Sequence, residues 1–298
     1  MSEFDFIDWL RARQCTSAFV QLPAGDDLAI LAPEAGDLLV VGVDQVLEGV
    51  HFDLKQHTLA DVGRKVVNRN LSDCAAMACR PAALVVSVAL PKSLSIDDAR
   101  ALYLGMERTA GEFDCAIVGG DTGSWTGPLA ASVTVIGRSD GVTPVRRSGA
   151  RPGDYLHVTG PLGGSILGSH MTFTPRVTLA RPLASRSLIH AMIDLSDGLS
   201  GDAAHLARES SVALVFNAAL IPIHDDAHVL SARDAVAALD HALHDGEDYE
   251  LLIAGPEPHL NGCTPVGRVE AGTGVWIEQN GIRTPLPRHA WTHDLSDE

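Results

Sequence analysis

The 298-residue sequence predicts a mixed α/β fold in two halves. Three observations carry that expectation. Apolar, β-like runs recur along the chain, and several end at a polar turn that bears an acid. Between them lie stretches whose apolar residues stand three and four apart, the period of an α-helix. A polar, glycine-containing stretch at 139–149 (SDGVTPVRRSG) interrupts both patterns and marks a boundary.

Residues 1–14 set Glu3, Asp5 and Asp8 among Phe4, Ile7, Trp9 and Leu10. A signal peptide would be basic and then continuously apolar, so this reads as an amphipathic first helix. A strand at 28–31 follows Gly25-Asp26-Asp27, and a strand at 37–43 (DLLVVGV) ends at Asp44. Residues 59–78 read as a helix, with Leu59, Val62, Val66, Cys74 and Met77 at helical spacing. Asn70 and Asp73 fall on its inward face, where an uncompensated carboxylate is costly, so Asp73 must be neutralised, paired or metal-bound. The most apolar stretch, 82–90, is far short of the roughly 20 residues that span a bilayer. A helix over 96–112 has ordinary surface amphipathicity, and a strand at 114–118 (DCAIV) ends at Gly119-Gly120-Asp121.

In the second half, a strand at 155–159 leads into Gly160-Pro161-Leu162-Gly163-Gly164. The run 190–193 enters Asp194-Leu195-Ser196-Asp197-Gly198, followed by a helix with Leu199, Ala203 and Leu206 on one side. Gly246-Glu247-Asp248-Tyr249 introduces a strand at 250–254, and Asn280-Gly281 turns a closing hairpin.

Lys plus Arg number 22 against 38 Asp plus Glu, a formal net charge of −16. Nucleic acid and anionic membrane surfaces both call for clustered cations, so neither is an expected partner. A phosphate-bearing ligand would need metal ions or a few placed cations to invert the local field. The five cysteines form no CxxC pair and read as small buried apolar groups in a reducing compartment, which makes the cytoplasm the expected location. His241 and His244 form an HxxH without an evident third ligand.

Six acids stand in glycine-flanked turns or on the inward helix face: Asp27, Asp44, Asp73, Asp121, Asp194 and Asp197. Carboxylate oxygens are what a hard divalent cation takes, and Mg²⁺ is normally shared between carboxylates and substrate phosphates. Each acid taken singly has a second reading, as a helix cap or turn former. No GxxxxGK[ST] loop or HRD/DFG pair occurs, so a nucleotide would have to be held in another way.

Nine blocks in order resemble the thiamine-monophosphate kinase family, within the aminoimidazole ribonucleotide synthetase-like superfamily. They are Gly25-Asp26-Asp27, Asp44 with Glu48-Gly49-Val50-His51-Phe52, Asn70-Leu71-Ser72-Asp73 and Gly119-Gly120-Asp121-Thr122. Then follow Arg147-Ser148-Gly149-Ala150, Val158-Thr159-Gly160, Pro175-Arg176-Val177, MIDLSDGL at 192–199 and GEDYEL at 246–251.

The resemblance implies a two-domain fold, 1–146 and 147–298, whose N-terminal strands form a barrel with those of a second subunit in a homodimer. It implies ATP as co-substrate, with direct in-line phosphoryl transfer to thiamine monophosphate. Asp27, Asp44, Asp73, Asp121 and Asp194 would ligate several Mg²⁺ ions, and Asp197 a further metal. Gly120, Asp121, Arg147 and Ser196 would contact ATP; His51, Glu247 and Trp291 would contact thiamine monophosphate. Asp44, Asp73, Asp121 and Arg147 would carry the catalysis.

Three departures stand out. Gly42 and Val43 replace the hydroxyl residue usual before Asp44, Gly123-Ser124-Trp125 replaces the usual Thr-Arg continuation, and the segment 160–175 is short. They keep open a related ATP-dependent enzyme acting on another small substrate, or a nucleotide-binding paralogue without turnover.

Overall fold

The computed structural model describes residues 6, 9–14, 16–23 and 29–288. Two units emerge from it, Met1–Cys74 with Cys79–Gly141, and Ala75–Ala78 with Val142–Glu298.

The first unit runs β1 (Val20–Leu22), β2 (Ile30–Leu31), β3 (Leu39–Leu47), α1 (Leu59–Ala76), β4 (Arg80–Pro91), α2 (Ile96–Gly111), β5 (Ala116–Trp125) and β6 (Ala130–Arg138). Four of these strands form a sheet in the order β3-β6-β4-β5. The β4–β5 pair is parallel, which the α2 crossover makes possible. Burial alternates along β6, where Ala131, Val133 and Val135 are buried and their neighbours are not, so one face is covered and the other open. On β3, Val41 and Val43 are 69% and 63% exposed. A Cβ on Gly63 of α1 would overlap backbone atoms of Leu102, and one on Gly105 of α2 would overlap Ala60. Glycine at both places lets the two helices pack backbone against backbone. Ser95 and Asp98 close a capping box at the start of α2.

The second unit runs β7 (Tyr155–Val158), a 3₁₀ turn (Ser165–Leu167), α3 (Ser169–Thr172), α4 (Val177–Ser185), β8 (Ala191–Asp194), α5 (Leu199–Ser210) and β9 (Ala213–Asn217). Then come α6 (Asp225–Asp234), α7 (Ala238–His244), β10 (Leu251–Gly255), β11 (Thr264–Glu270), β12 (Gly274–Gln279) and β13 (Ile282–Pro285). Its seven strands lie in the order β13-β12-β9-β11-β7-β10-β8. Leu156, Ile193, Leu206, Phe216 and Leu252 belong to one core between sheet and helices. Asn280 and Gly281 both have positive φ at the β12–β13 turn, which suits the right-handed twist of a tight hairpin.

Two expectations need correction. The strand at 37–43 does not end at Asp44, because β3 continues to Leu47 in register with β6, Asp44 opposite Val133. Nor is Gly119-Gly120-Asp121 a turn; β5 runs through it to Trp125, held by parallel pairing with β4. In both, backbone pairing carries the strand past the first polar residue. Of the first helix, residues 6 and 9–11 are helical, and the others among 1–8 lie outside the described residues. No helix among the described residues is long and apolar enough to cross a membrane.

Candidate functional site

In the first unit, α1 brings Asp73 to β3, the strand that carries Asp44. The backbone N–H of Asp44 donates to Asn70 Oδ1 at 3.2 Å, and Asn70 Nδ2 donates to the Val66 carbonyl at 2.9 Å. The fully buried Asn70 amide thus ties helix to strand. Arg69 Nε lies 3.7 Å from Asp44 Oδ2. One turn on, the Asp73 carboxylate sits over Gly42, where a Cβ would stand 3.6 Å from Asp73 Oδ2. Gly42 and Asp44 are two residues apart on one strand and so present the same face. A Cβ at Gly42 would make ordinary van der Waals contact with the Asp73 carboxylate, so that carboxylate packs on the strand face that also carries Asp44. The buried Lys65 donates through Nζ to the His51 carbonyl at 2.7 Å, and the Leu47 N–H donates to His51 Nδ1 at 3.1 Å. His51 is thereby fixed at the exit of β3.

Asp121 is not part of that group within one chain. It lies exposed on the edge strand β5, level with Ser87 of β4. Two strands separate β5 from β3, so three spacings of about 4.8 Å, roughly 14 Å, lie between them. Gly120 is required where it stands, because a Cβ there would overlap the Val86 carbonyl oxygen. Asp27 and Trp291 lie outside the described residues.

In the second unit, β8 delivers Asp194 at its end, and the turn to α5 carries Ser196 and Asp197. Asp202, in the first turn of α5, accepts the Asp197 N–H at 3.0 Å. Burial, and then the charges of Asp194 and Asp197, push the Asp202 carboxyl well above the usual carboxylate range, while Arg147 opposes that rise. The turn bearing Glu247 docks on the same strand end: Glu247 N–H donates to the Ser196 carbonyl and Tyr249 N–H to that of Leu195, both at 2.8 Å. Ser196 and Glu247 are thus adjacent. By contrast His241 engages Asp245 and Asp234, while His244 engages Ser200, so the HxxH rings have different partners.

The model for the AIR synthase related protein N-terminal domain matches residues 25–139. The sequence is 36% identical to a thiamine-monophosphate kinase of Rhodopirellula baltica, over 92% of this chain and 91% of that protein. The chain belongs to the thiamine-monophosphate kinase family. Its fold is similar to the crystal structure of thiamine-monophosphate kinase from Stenotrophomonas maltophilia K279a, with 34% identity, 93% of this chain and 97% of that one covered, and a TM-score of 0.79. It is similar also to AaThiL complexed with AMPPCP and TMP, with 28% identity, 98% and 96% covered, and a TM-score of 0.79.

The residues present fit Mg²⁺. Asp44 and Asp73 in the first unit, and Asp194 and Asp197 in the second, carry carboxylate oxygens, the donor type a hard cation takes. Burial raises the Asp202 carboxyl first and the charges of Asp194 and Asp197 raise it further; a divalent ion at those two carboxylates would relieve only that second contribution. Among the described residues no group of three or more His, Cys, Asp or Glu side chains is placed to hold a metal ion. Mg²⁺ needs no such cage, since one or two carboxylates plus phosphates and water satisfy it.

Asp248, beside Glu247, yields a pH test. Its Oδ1 accepts the Gly163 N–H at 2.9 Å, its Oδ2 is sealed from solvent without a partner, and burial pushes the carboxyl up to about 8. In an unfolded chain an aspartate ionises near about 3.9. Between those values the folded state holds a proton that the unfolded state releases, so Asp248 makes stability fall as pH rises through that window. Melting temperatures from pH 5 to 8.5 are expected to decline less steeply in Asp248→Asn than in wild type. Equal slopes would remove Asp248 as a source.

Proposed function

We propose that this chain phosphorylates thiamine monophosphate to thiamine diphosphate at the expense of ATP, in the cytoplasm, as a homodimer with domains 1–146 and 147–298. The observation that carries the reading is kinship over nearly the whole chain, with thiamine-monophosphate kinases and with a structure holding AMPPCP and TMP. A phosphate oxygen of thiamine monophosphate attacks the γ-phosphorus of ATP in line, and ADP leaves. An anionic nucleophile attacking a phosphoryl group asks for charge neutralisation and alignment more than for a strong base.

In the first unit, Asp44, Asp73 and Asp121, with Asp27, would hold Mg²⁺, and Gly120, packed against Val86 of β4, would contact the nucleotide through its backbone. When bound, Mg²⁺ neutralises the phosphate oxygens. His51, held by Leu47 and Lys65, faces thiamine monophosphate. In the second unit, Arg147 forks onto phosphate oxygens, Ser196 contacts ATP, and Asp194 and Asp197 bind metal. Glu247 and Trp291 contact the cationic acceptor, the latter by stacking.

The dimer reading accounts for the isolation of Asp121. β3 and β5 are the two edges of the four-stranded sheet. A barrel closed between two copies would lay β5 of one along β3 of the other, bringing Asp121 towards the partner subunit's Asp44. The exposed Val41 and Val43 would then line the shared interior. Light scattering is expected to give a dimer for wild type and a monomer for Val43→Glu, because a buried unpaired charge is costly. A dimeric Val43→Glu protein would exclude this surface.

The functional test is incubation with Mg²⁺, ATP and thiamine monophosphate, with chromatographic detection of thiamine diphosphate. Product from another phosphate acceptor alone would favour a related enzyme of the superfamily. Tight nucleotide binding with no product from any acceptor would favour the non-catalytic paralogue.

A further inference from the structure

The short segment 160–175 folds directly against the Glu247 turn. Gly163 and Gly164 donate their N–H groups to Asp248 Oδ1 and Asp245 Oδ2, both at 2.9 Å, and Ser165 Oγ donates to the Gly246 carbonyl at 2.7 Å. The 3₁₀ turn and α3 then carry the chain to His170 and Phe173. His170 is 3% exposed, and its Nδ1 lies 3.3 Å from Glu247 Oε2. Phe173 stacks on Tyr249, with ring centroids 4.0 Å apart and planes 16° from parallel. The Tyr249 hydroxyl donates to Glu247 Oε1 at 3.1 Å.

Both oxygens of Glu247 are therefore met from within the protein, one by a hydroxyl and one by a buried ring nitrogen, while its side chain remains 26% exposed. The backbone is strained to achieve this. Glu247 and Tyr249 have φ of +53° and +51°, a region unfavourable for residues with side chains and most of all for a bulky tyrosine. Docking onto Leu195 and Ser196 holds that conformation in place. A glutamate serving the fold alone would be well placed as a fully buried partner of His170; here it is clamped and still open to a ligand.

We propose that His170 is a positioning residue which, with Tyr249 braced by Phe173, aims the Glu247 carboxylate at a cationic or amino-bearing heteroaromatic ring and so sets acceptor specificity. This rests on the reading of Glu247 as an acceptor contact. The segment 165–173 is then the specificity wall of this chain, made from the stretch that is short by the family pattern.

The test is a double-mutant cycle in binding, read by titration calorimetry with thiamine monophosphate and separately with AMPPCP and Mg²⁺. His170→Ala is expected to weaken thiamine monophosphate about tenfold and Glu247→Gln about a hundredfold. The double variant is expected to stay within about twofold of Glu247→Gln, since His170 acts only through that carboxylate. His170→Asn, which keeps a donor near the Nδ1 position, should restore affinity to within about threefold of wild type. AMPPCP affinity should be unchanged throughout. A tenfold loss that recurs in the Glu247→Gln background would overturn the proposal, as would equal weakening of AMPPCP or failure of His170→Asn to rescue. No binding of thiamine monophosphate by wild type would defeat both this proposal and the kinase reading. Binding without thiamine diphosphate formation would defeat the kinase reading alone, and the cycle would still decide the pairing.

Discussion

Asp73→Asn is expected to lower thiamine diphosphate formation on the order of 10³-fold and to leave the melting temperature close to wild type. The side chain is half-buried, lies over Gly42, and stands on the same side of β3 as Asp44. Asparagine preserves its shape and one oxygen but removes the charge that makes a carboxylate a good Mg²⁺ ligand. The fold should tolerate the exchange, because asparagine matches aspartate in size and the side chain is only half-buried. Steady-state rates at saturating Mg²⁺ with a parallel thermal melt separate the two effects. Near-normal turnover would take Asp73 out of the metal site.

Gly120→Ala should be the most damaging single methyl in the sheet. The added carbon would overlap the Val86 carbonyl oxygen, and backbone on a paired strand has no free end to swing aside. Overpacking of this kind costs about 3 kcal/mol, and it would displace the strand that carries Asp121. The control lies three residues on, since a Cβ at Gly123 meets nothing within 4 Å. Denaturant unfolding should show a large loss for Gly120→Ala and little change for Gly123→Ala. Equal stability of the two would mean that β5 does not press on β4 at this point.

The parts of the site that follow helical periodicity were legible beforehand. Val62, Val66, Asn70 and Asp73 keep one face of α1, and the structure uses that face to tether β3. The turn at 194–198 was legible because an apolar run ends in acids and glycine just before a helix begins. Strand extents were not. The alternation of β6 is built from small residues (AASVTVIGR), which give a weak signal, and with β6 unseen nothing indicated that β3 continues past Asp44. The run at 82–90, too short for a membrane span, lies within β4, one of the two interior strands of the sheet. Lys65 and His170 left no trace either. A lysine on a helix reads as surface, and a lone histidine reads as anything, until tertiary contacts bury both. The distance between Asp44 and Asp121 is a property of strand order, which spacing along the chain does not encode.

Binding of a non-hydrolysable ATP analogue to the wild-type protein, measured by calorimetry with Mg²⁺ and again in excess chelator, bears most directly on a nucleotide held through metal by an acidic protein. Tight binding that vanishes with the metal and returns when Mg²⁺ is restored is the expected result. Undiminished binding in chelator would contradict it, because acids without a bridging cation repel a triphosphate.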